Sequence, residues 1–219
     1  VSLASHQLRT PISSMKWNLE LLRTAQDKGD PTACTTYIAK IDDGITRMEN
    51  LVADFLSVSK LELGTLAPQR ESIHFDTFMH TVLALHEAKA ASRSIAIERS
   101  WNTDDMLYTD PHLLEMAVSN LISNAIKYTP EGGVVRIGSE MHGNHRVVTV
   151  SDTGMGIPED EQEHVFTKIF RASNARREVT DGTGLGLYIV REVVRVLGGD
   201  VTFVSKVDEG TTFTIVLPK

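Results

Sequence analysis

Apolar side chains in the first 63 residues recur at alternating intervals of three and four residues. Two stretches follow this spacing, at Leu8, Ile12, Met15, Leu19 and Leu22, then at Ile38, Ile41, Ile45, Met48, Val52 and Phe55. Such heptad-like spacing is typical of long helices that pack in a coiled coil or a helix bundle. Residues 27–32, Asp-Lys-Gly-Asp-Pro-Thr, combine a helix stop, a turn and a new helix start. The pattern therefore predicts a helical hairpin over residues 1–63.

This predicted hairpin carries more apolar surface than two helices can cover. Leu51, Val58 and Leu61 add apolar side chains off the main seam of the second helix. Because a four-helix bundle would bury that surface, we expect the hairpin to form a homodimer. The alternative is a monomeric hairpin packed on the rest of the chain.

Residues 64–69 break the helical pattern and are expected to form a linker, and residues 70–219 then alternate between strand-like and helix-like stretches. Asp110 followed by Pro111 is a strong helix start, because aspartate caps a helix and proline suits its first position. The predicted helices are 75–91, 111–127 and 185–197, and the predicted strands are 94–100, 133–141, 146–151, 201–205 and 211–217. We therefore expect an α+β domain, an α/β sandwich with a mixed sheet and helices on one face.

Composition narrows the classes of protein that fit this pattern. The 219 residues are 41% hydrophobic and carry a formal charge of −7, which is a globular balance and argues against a disordered chain. Net acidity argues against nucleic-acid binding. Cys34 is the only cysteine, so a reducing, cytoplasmic compartment is expected. No stretch is apolar enough to span a membrane. Because the chain starts as if inside a helix, we expect a piece of a longer protein, whose missing N-terminal part would make any membrane contact.

The predicted helix after Asp110 carries a polar face. Asn120 and Asn124 lie four residues apart and share that face, and Lys127 lies near it. Amide oxygens suit a hard cation such as Mg²⁺, and a lysine suits a phosphate group. The alternative is an ordinary solvated helix surface.

Two glycine-rich segments follow this helix. Residues 152–156, Asp-Thr-Gly-Met-Gly, come directly after a predicted strand, where a carboxylate can accept a hydrogen bond from an exocyclic amine such as that of adenine. Residues 182–187, Gly-Thr-Gly-Leu-Gly-Leu, open a helix, and the free N–H groups of a helix start bind phosphate. No strand precedes residue 182 and no Gly-Lys-Ser/Thr follows, which excludes a Rossmann motif and a P-loop. The order of the three clusters indicates a nucleotide pocket.

These clusters resemble the N, G1 and G2 boxes of the Bergerat-type ATP-binding fold of sensor histidine kinases. Between them, residues 165–171 resemble the F box of this family, and residues 208–213 resemble its last glycine box. Near the start, residues 5–11, Ser-His-Gln-Leu-Arg-Thr-Pro, resemble the H box of its dimerisation and histidine-phosphotransfer domain. The resemblance covers nearly the whole chain in the order typical of the family.

The resemblance implies a protein-histidine kinase of a two-component system, with ATP and Mg²⁺ as cofactors. It implies that His6 takes the phosphoryl group and passes it to an aspartate of a response-regulator receiver domain. Mg²⁺ would bind Asn124, and residues 168–181 would form a mobile lid. The nucleotide contacts that it implies are Asn120, Asn124, Lys127, Tyr128, Asp152, Gly154, Gly156, Ile157, Phe170, Arg171, Gly182, Thr183, Gly184, Leu185, Gly186, Leu187 and Thr211.

The H-box residues also have a chemical interpretation of their own. A neutral imidazole such as that of His6 is a competent nucleophile near pH 7. Pro11 cannot donate to the carbonyl of Gln7, so a kink is expected just after His6. Most relatives carry an acidic residue where Gln7 stands, and an amide cannot act as a general base, so weakened autokinase activity is expected. Thr10 shares the face of His6 and resembles the residue that positions water for dephosphorylating the regulator, which makes phosphatase activity a second hypothesis.

Two other classes of protein remain open at this point. An ATPase chaperone or repair clamp with the same nucleotide fold would explain the pocket but not the H box. A non-catalytic dimerisation scaffold with a degenerate pocket would explain the hairpin. Against the scaffold, the residue types that the pocket needs are intact at Asn124, Asp152 and Gly184.

Overall fold

The computed structural model describes residues 2–64, 66–101, 106–178 and 182–219, with side chains from residue 8 onward. The chain divides into two compact units, Val1–Ser59 and Lys60–Lys219. The first unit is helical, and the second combines a sheet with helices.

The first unit is a helical hairpin, as its heptad-like spacing predicted. Helix α1 spans Ser2–Asp27 and continues through Pro11, and helix α2 spans Pro31–Glu62. Asp30 caps α2, because its Oδ1 accepts the Ala33 N–H at 3.0 Å. Gly29 supplies the positive φ, +67°, with which the chain turns after α1.

Helix α2 presents two apolar faces rather than the single seam that the spacing suggested. Leu51 and Val58, expected off that seam, are buried, at 6% and 8% exposure. Ile38, Ile45 and Val52, expected on it, are exposed at 56%, 46% and 46%. These three residues lie seven apart and therefore share one helix face. The predicted seam thus combined a face that packs inside the hairpin with a face that the hairpin leaves open.

The open apolar face continues onto α1, where Ile12 and Leu19 are 49% and 42% exposed. Part of this face is an apolar groove of about 520 Å³, lined by Met15, Ile45, Met48, Glu49, Val52, Ala53 and Leu56. A row of exposed large apolar side chains at heptad spacing is a surface that normally contacts another helix.

The second unit is built on a five-stranded mixed sheet, which confirms the α+β prediction. In spatial order its strands are β2 (Ala96–Ser100), β4 (Val134–His142), β5 (His145–Asp152), β7 (Gly210–Pro218) and β6 (Asp200–Lys206). Strands β2 and β4 are parallel, and the other neighbours are antiparallel. Strands β1 (Glu71–His74) and β3 (Met106–Thr109) form a separate antiparallel pair that the sequence pattern did not predict.

Three long helices accompany the sheet, and their bounds lie within one residue of the predicted ones. They are α3 (Phe75–Ser92), α4 (Pro111–Tyr128) and, after the short helix α5 (Ser173–Glu178), α6 (Gly186–Val196). A 3₁₀ helix spans Glu159–His164. Helices α4 and α6 pack on each other, and both contact the sheet. Within the described parts of the chain, no helix is both long enough and apolar enough to cross a membrane.

Asp110 joins the entry of the second unit to α4. Its Oδ1 accepts two backbone N–H groups of the first turn of α4, each at 3.0 Å, which confirms the predicted cap. Its Oδ2 accepts the Gln69 N–H at 2.7 Å. The next residue, Arg70, donates from Nη2 to the carbonyl of Leu197 at 3.2 Å, directly after α6. The incoming chain is therefore attached to the first turn of α4 and to the last turn of α6.

Candidate functional site

Asp152 is the last residue of β5, the central strand of the five-stranded sheet. Its Oδ1 accepts the Gly154 N–H at 2.8 Å and the Thr211 N–H at 3.2 Å, one from the following loop and one from the neighbouring strand β7. Its Oδ2 accepts no hydrogen bond from the residues that the structure describes. One carboxylate oxygen is therefore fixed by the protein, and the other can accept a hydrogen bond from a ligand.

Burial raises the pKa of the Asp152 carboxyl to about 6. The hydrogen bonds from Gly154 and Thr211 act in the opposite direction, because they favour the ionised form, but they do not cancel the effect of burial. A carboxyl group with a shifted pKa at the end of a central strand is typical of a functional site.

The glycine-rich turn before α6 lies against the polar face of α4. A Cβ on Gly186 would stand 2.6 Å from Oδ1 of Asn120, and a Cβ on Gly182 would stand 2.5 Å from Nζ of Lys127. Asn124, one turn after Asn120, is 3.9 Å from the same position of Gly186. Since any side chain at Gly186 would overlap Asn120, glycine is what allows this close approach.

The loop after Asp152 reaches the end of the same helix. The Met155 N–H donates to the carbonyl of Tyr128 at 3.2 Å. Burial raises the pKa of the Tyr128 phenol, and the Arg171 guanidinium, which hydrogen-bonds to it, offsets part of this rise. Nζ of Lys127 lies 5.1 Å from the centre of the Tyr128 ring. The structure thus brings together the polar face of α4, the Asp152 loop and the glycine-rich turn, which are far apart in the sequence.

The residues of the predicted F box lie beside this cluster. Arg171 donates from Nη2 to the carbonyl of Ala175 at 3.1 Å, and its Nε is 3.6 Å from the Cβ position of Gly182. The Phe170 ring packs at 5.9 Å from the His164 ring. Arg171 therefore lies next to the glycine-rich turn, between that turn and the tyrosine at the end of α4.

The other predicted contact residues differ in how far they are buried and in which of their groups a ligand can reach. Leu185 is 2% exposed, so only its backbone can face a ligand, and its N–H already bonds Oγ1 of Thr183 at 3.2 Å. Gly184 and Leu187 are half-buried. The Ile157 N–H donates to Oγ of Ser205 at 2.9 Å. The hydrogen bonds of the Leu185 and Ile157 N–H groups fix the backbone at the edge of the site and place no side chain in it.

The stretch 168–181, expected to be a mobile lid, contains the regular helix α5. Ser173–Glu178 was not predicted as a helix, because a turn and a half of polar helix has no apolar period to reveal it. Residues 179–181 lie outside the described residues.

The structure describes the predicted H-box residues only in part. The side chains of His6 and Gln7 lie outside the described residues, and only their place in α1 is given. Thr10 is described and is exposed on α1. Trp17 lies seven residues after Thr10, hence on the same helix face, and is 62% exposed.

Sequence reasoning missed the polar side chains that support the Asp152 loop. Oγ of Ser205 accepts the Ile157 N–H and lies 2.8 Å from Oγ1 of Thr211. Gln162 and Asn174 donate to carbonyls of the same loop. Nothing in the local sequence distinguishes these residues from ordinary surface positions, because only the tertiary fold brings them to the loop.

Two family models match the chain. The model described as "Histidine kinase-, DNA gyrase B-, and HSP90-like ATPase" matches residues 109–219, and the model described as "His Kinase A (phospho-acceptor) domain" matches residues 1–64. Together they confirm the resemblance inferred from the sequence boxes.

Individual relatives agree with these two matches. The sensor-like histidine kinase SenX3 of Mycolicibacterium smegmatis is 32% identical over 100% of this chain and 56% of its own length. The sensor histidine kinase WalK of Bacillus subtilis is 33% identical over 100% of this chain and 36% of its own length. The chain thus spans about half the length of the curated relatives that it matches, or less.

Solved structures share the fold over almost the whole chain. Histidine kinase ThkA, solved in complex with the response regulator protein TrrA, superimposes with a TM-score of 0.78 at 25% identity, over 98% of this chain and 59% of that one. The Acinetobacter baumannii histidine kinase AdeS has a TM-score of 0.78 over 97% of each chain, but its 23% identity shows the fold alone. The chain therefore belongs to the sensor histidine kinases, as a catalytic core in which a phospho-acceptor hairpin precedes an ATP-binding domain.

The raised pKa of Asp152 predicts a stability cost that depends on pH. Between about pH 4 and pH 6 the folded carboxyl holds a proton that the unfolded one has lost, so stability falls as the pH rises through this window. We expect Asp152→Asn, which cannot ionise, to raise the unfolding free energy of the unliganded chain by about 1–3 kcal/mol at pH 7.5 and by nearly nothing at pH 4. Urea unfolding at both pH values measures this.

The same substitution at Asp200, which is exposed, controls for the loss of one negative charge. A gain for Asp152→Asn that is as large at pH 4 as at pH 7.5 would show that the stabilisation does not come from ionisation.

Proposed function

We propose that this chain is the catalytic core of a protein-histidine kinase. It autophosphorylates His6 with ATP and then transfers the phosphoryl group to an aspartate of a response regulator. The observation that carries this proposal is the cluster of Asp152, the polar face of α4 and the glycine-rich turn, in a chain whose first helix carries the H-box sequence. We take residues 1–63 as the phosphotransfer hairpin, 64–69 as the linker and 70–219 as the ATP-binding domain.

The base of ATP is assigned to Asp152. Its Oδ2 accepts no hydrogen bond from the described part of the chain, and the exocyclic amine of adenine is a matching donor. Tyr128 lies at the end of α4 beside the same loop and offers a flat aromatic surface. We therefore assign the adenine ring to the space between Asp152 and Tyr128.

The phosphates are assigned to the other end of the cluster. Lys127 and Arg171 place two cations near Gly182, and the turn from Gly182 to Leu187 precedes the N-terminus of α6, where the helix dipole favours an anion. Asn120 lies against Gly186 of the same turn. Positive charge and the N–H groups of a helix start suit the outer phosphates of a nucleotide.

Mg²⁺ is assigned to Asn124, whose amide oxygen is a hard ligand of the kind that this ion prefers. The described residues contain no group of three or more His, Cys, Asp or Glu that could hold a metal ion. An ion here must therefore take most of its ligands from phosphate and water, which is how Mg²⁺ usually binds. When bound, the ion neutralises the charge of the phosphates.

His6 supplies the nucleophile. One imidazole nitrogen forms a bond to the γ-phosphorus while the bond from that phosphorus to the oxygen of ADP breaks, and the imidazole releases its proton. Most of the catalysis comes from positioning and charge neutralisation, which the ATP-binding domain provides.

A homodimer through the hairpin is supported by its open apolar face. Ile38, Ile45 and Val52 on α2, with Ile12 and Leu19 on α1, are all more than 40% exposed in the single chain. A second copy would cover them as a four-helix bundle. Sedimentation velocity at micromolar concentration measures this, and a monomer there would contradict the dimer.

A response regulator is the proposed partner of the hairpin. The structural relative ThkA was solved in complex with one. On this chain, Trp17 is an exposed aromatic side chain on the helix face of Thr10, eleven residues after His6, and exposed tryptophan is enriched in protein interfaces.

The kinase reaction is tested with the γ-labelled nucleotide. We expect incubation with γ-labelled ATP and Mg²⁺ to give label that is acid-labile and base-stable, as a phosphohistidine is, and that His6→Gln abolishes. Because the nucleotide site is intact in that variant, ATP binding should stay unchanged by calorimetry.

His80→Gln, at an exposed histidine of α3, is the matched control and should keep the label. ATP hydrolysis without protein-bound label would favour an ATPase of the same fold. Absence of nucleotide binding would favour a non-catalytic scaffold.

Gln7 is assigned as the residue that limits the autokinase rate, because its amide cannot take the proton of His6. We expect Gln7→Glu to raise the rate of autophosphorylation about tenfold or more, since general bases typically contribute about 10²–10⁴-fold. Gln26→Glu, at an exposed position of the same helix, controls for the added charge. An unchanged rate in Gln7→Glu would remove the general-base argument for this protein.

Thr10 is assigned to dephosphorylation of the regulator, as the residue that orients the attacking water. We expect Thr10→Ala to slow loss of label from a receiver domain phosphorylated by this chain about tenfold or more, while autophosphorylation stays within twofold. Thr24→Ala, at an exposed threonine of α1, should change neither rate. Dephosphorylation that survives in Thr10→Ala would exclude this role.

A further inference from the structure

Two side-chain amides hold successive carbonyl groups of the loop after Asp152. Nδ2 of Asn174, on α5, donates to the carbonyl of Gly156 at 2.9 Å. Nε2 of Gln162, on the 3₁₀ helix, donates to the carbonyl of Ile157 at 3.0 Å. We call Gln162 and Asn174 the amide clamp.

The loop that the amide clamp binds lies outside any helix or strand. Gly156 has a φ of +63°, which glycine adopts without the strain that other residues incur. On its other side the loop is fixed by Oγ of Ser205, which accepts the Ile157 N–H at 2.9 Å. The clamp and Ser205 thus fix both the carbonyl side and the N–H side of the loop.

The clamp is connected to the carboxylate of Asp152 by hydrogen bonds. Nε2 of Gln162 also donates to the carbonyl of Ser205 at 3.1 Å, and Oγ of Ser205 lies 2.8 Å from Oγ1 of Thr211. The Thr211 N–H in turn donates to Oδ1 of Asp152. The groups that fix the far end of the loop therefore belong to the network that orients the carboxylate.

The two elements that carry the clamp are joined to each other. Oε2 of Glu161, the neighbour of Gln162, accepts the Ser173 N–H at 2.8 Å, and Ser173 is the neighbour of Asn174. Gln162 and Asn174 are therefore held at a defined separation by a third hydrogen bond. The arrangement is a closed frame around the loop rather than two independent surface contacts.

We propose that Gln162 and Asn174 are positioning residues for base recognition, and that they set how strongly the site discriminates between an amino and an oxo group at position 6 of a purine. The inference rests on the proposed binding of adenine at Asp152. A purine is flat and rigid, so the loop on one side fixes where its exocyclic group meets Oδ2 of Asp152. A site built to accept a hydrogen bond rejects an analogue that lacks the donor, but only while the donor and acceptor stay aligned.

The test compares two diphosphates, ADP and inosine diphosphate, which differ at that exocyclic group. Calorimetry with the full chain should give ADP the lower Kd by roughly 10- to 100-fold. Asn174→Asp keeps the size of the side chain and removes its N–H donors. We expect this variant to reduce the ratio of the two Kd values to about 3, by weakening ADP about tenfold and inosine diphosphate much less.

Three further variants isolate the cause. Gln162→Glu should also lower the ratio of the two Kd values, and Asn174→Ala should lower it without adding a charge. Asn144→Asp makes the same chemical change in the exposed hairpin turn and should leave the ratio unchanged. Partial unfolding lowers the active fraction for both nucleotides alike, so a merely structural role for Asn174 would not change the ratio.

The possible outcomes separate this inference from the proposed function. If the unmodified chain prefers ADP and both Asn174 variants keep that preference within twofold, the amide clamp has no role in base recognition. If the unmodified chain binds both nucleotides equally, or binds neither, the assignment of the base to Asp152 fails and the positioning role fails with it.

Discussion

The ATP-binding domain depends on keeping one partly dehydrated carboxylate in place at the end of its central strand. Burial raises the pKa of Asp152 to about 6, so the fold must stabilise a charge that its surroundings disfavour. It does so with backbone N–H groups from both sides, Gly154 in the following loop and Thr211 in the adjacent strand. Both donors require the chain to pass very close to Asp152. Gly154 and Gly210 allow this approach, because a Cβ on Gly154 would overlap Oδ1 of Asp152 and a Cβ on Gly210 would overlap its carbonyl oxygen.

Most of the regular structure could be predicted because local signals and tertiary packing agree. Asp110 and Pro111 specify the start of α4, and a two-residue turn separates the central strands β4 and β5. Strands β1 and β3 were missed because each has only four residues and pairs outside the main sheet. Helix α5 was missed because it is short and polar, so hydrophobic periodicity cannot reveal it.

The residues of the candidate site also divide into those that the local sequence marks and those that only the tertiary fold brings to the site. The three clusters could be recognised in the sequence because each has a distinctive pattern and because they occur in a known order, and the structure brings them together. Gln162, Asn174 and Ser205 could not be found, since an amide or a hydroxyl on a polar segment carries no mark of its eventual partner. The heptad spacing of α2 was limited in a different way. It was strong enough to predict the helix, but it could not separate the face buried within one hairpin from the face left open.

The contacts of Asp110 and Arg70 have a mechanical consequence. They attach the incoming chain to the first turn of α4 and the last turn of α6, whereas the polar groups of the site lie at the opposite ends of these two packed helices. Helix α4 has 18 residues and is therefore about 27 Å long. A hydrogen-bonded helix is stiff along its axis, so both attachment points lie on rigid elements of the domain. The incoming chain is thus attached to regular structure of the ATP-binding domain, away from the loops that carry Asp152 and the glycine-rich turn.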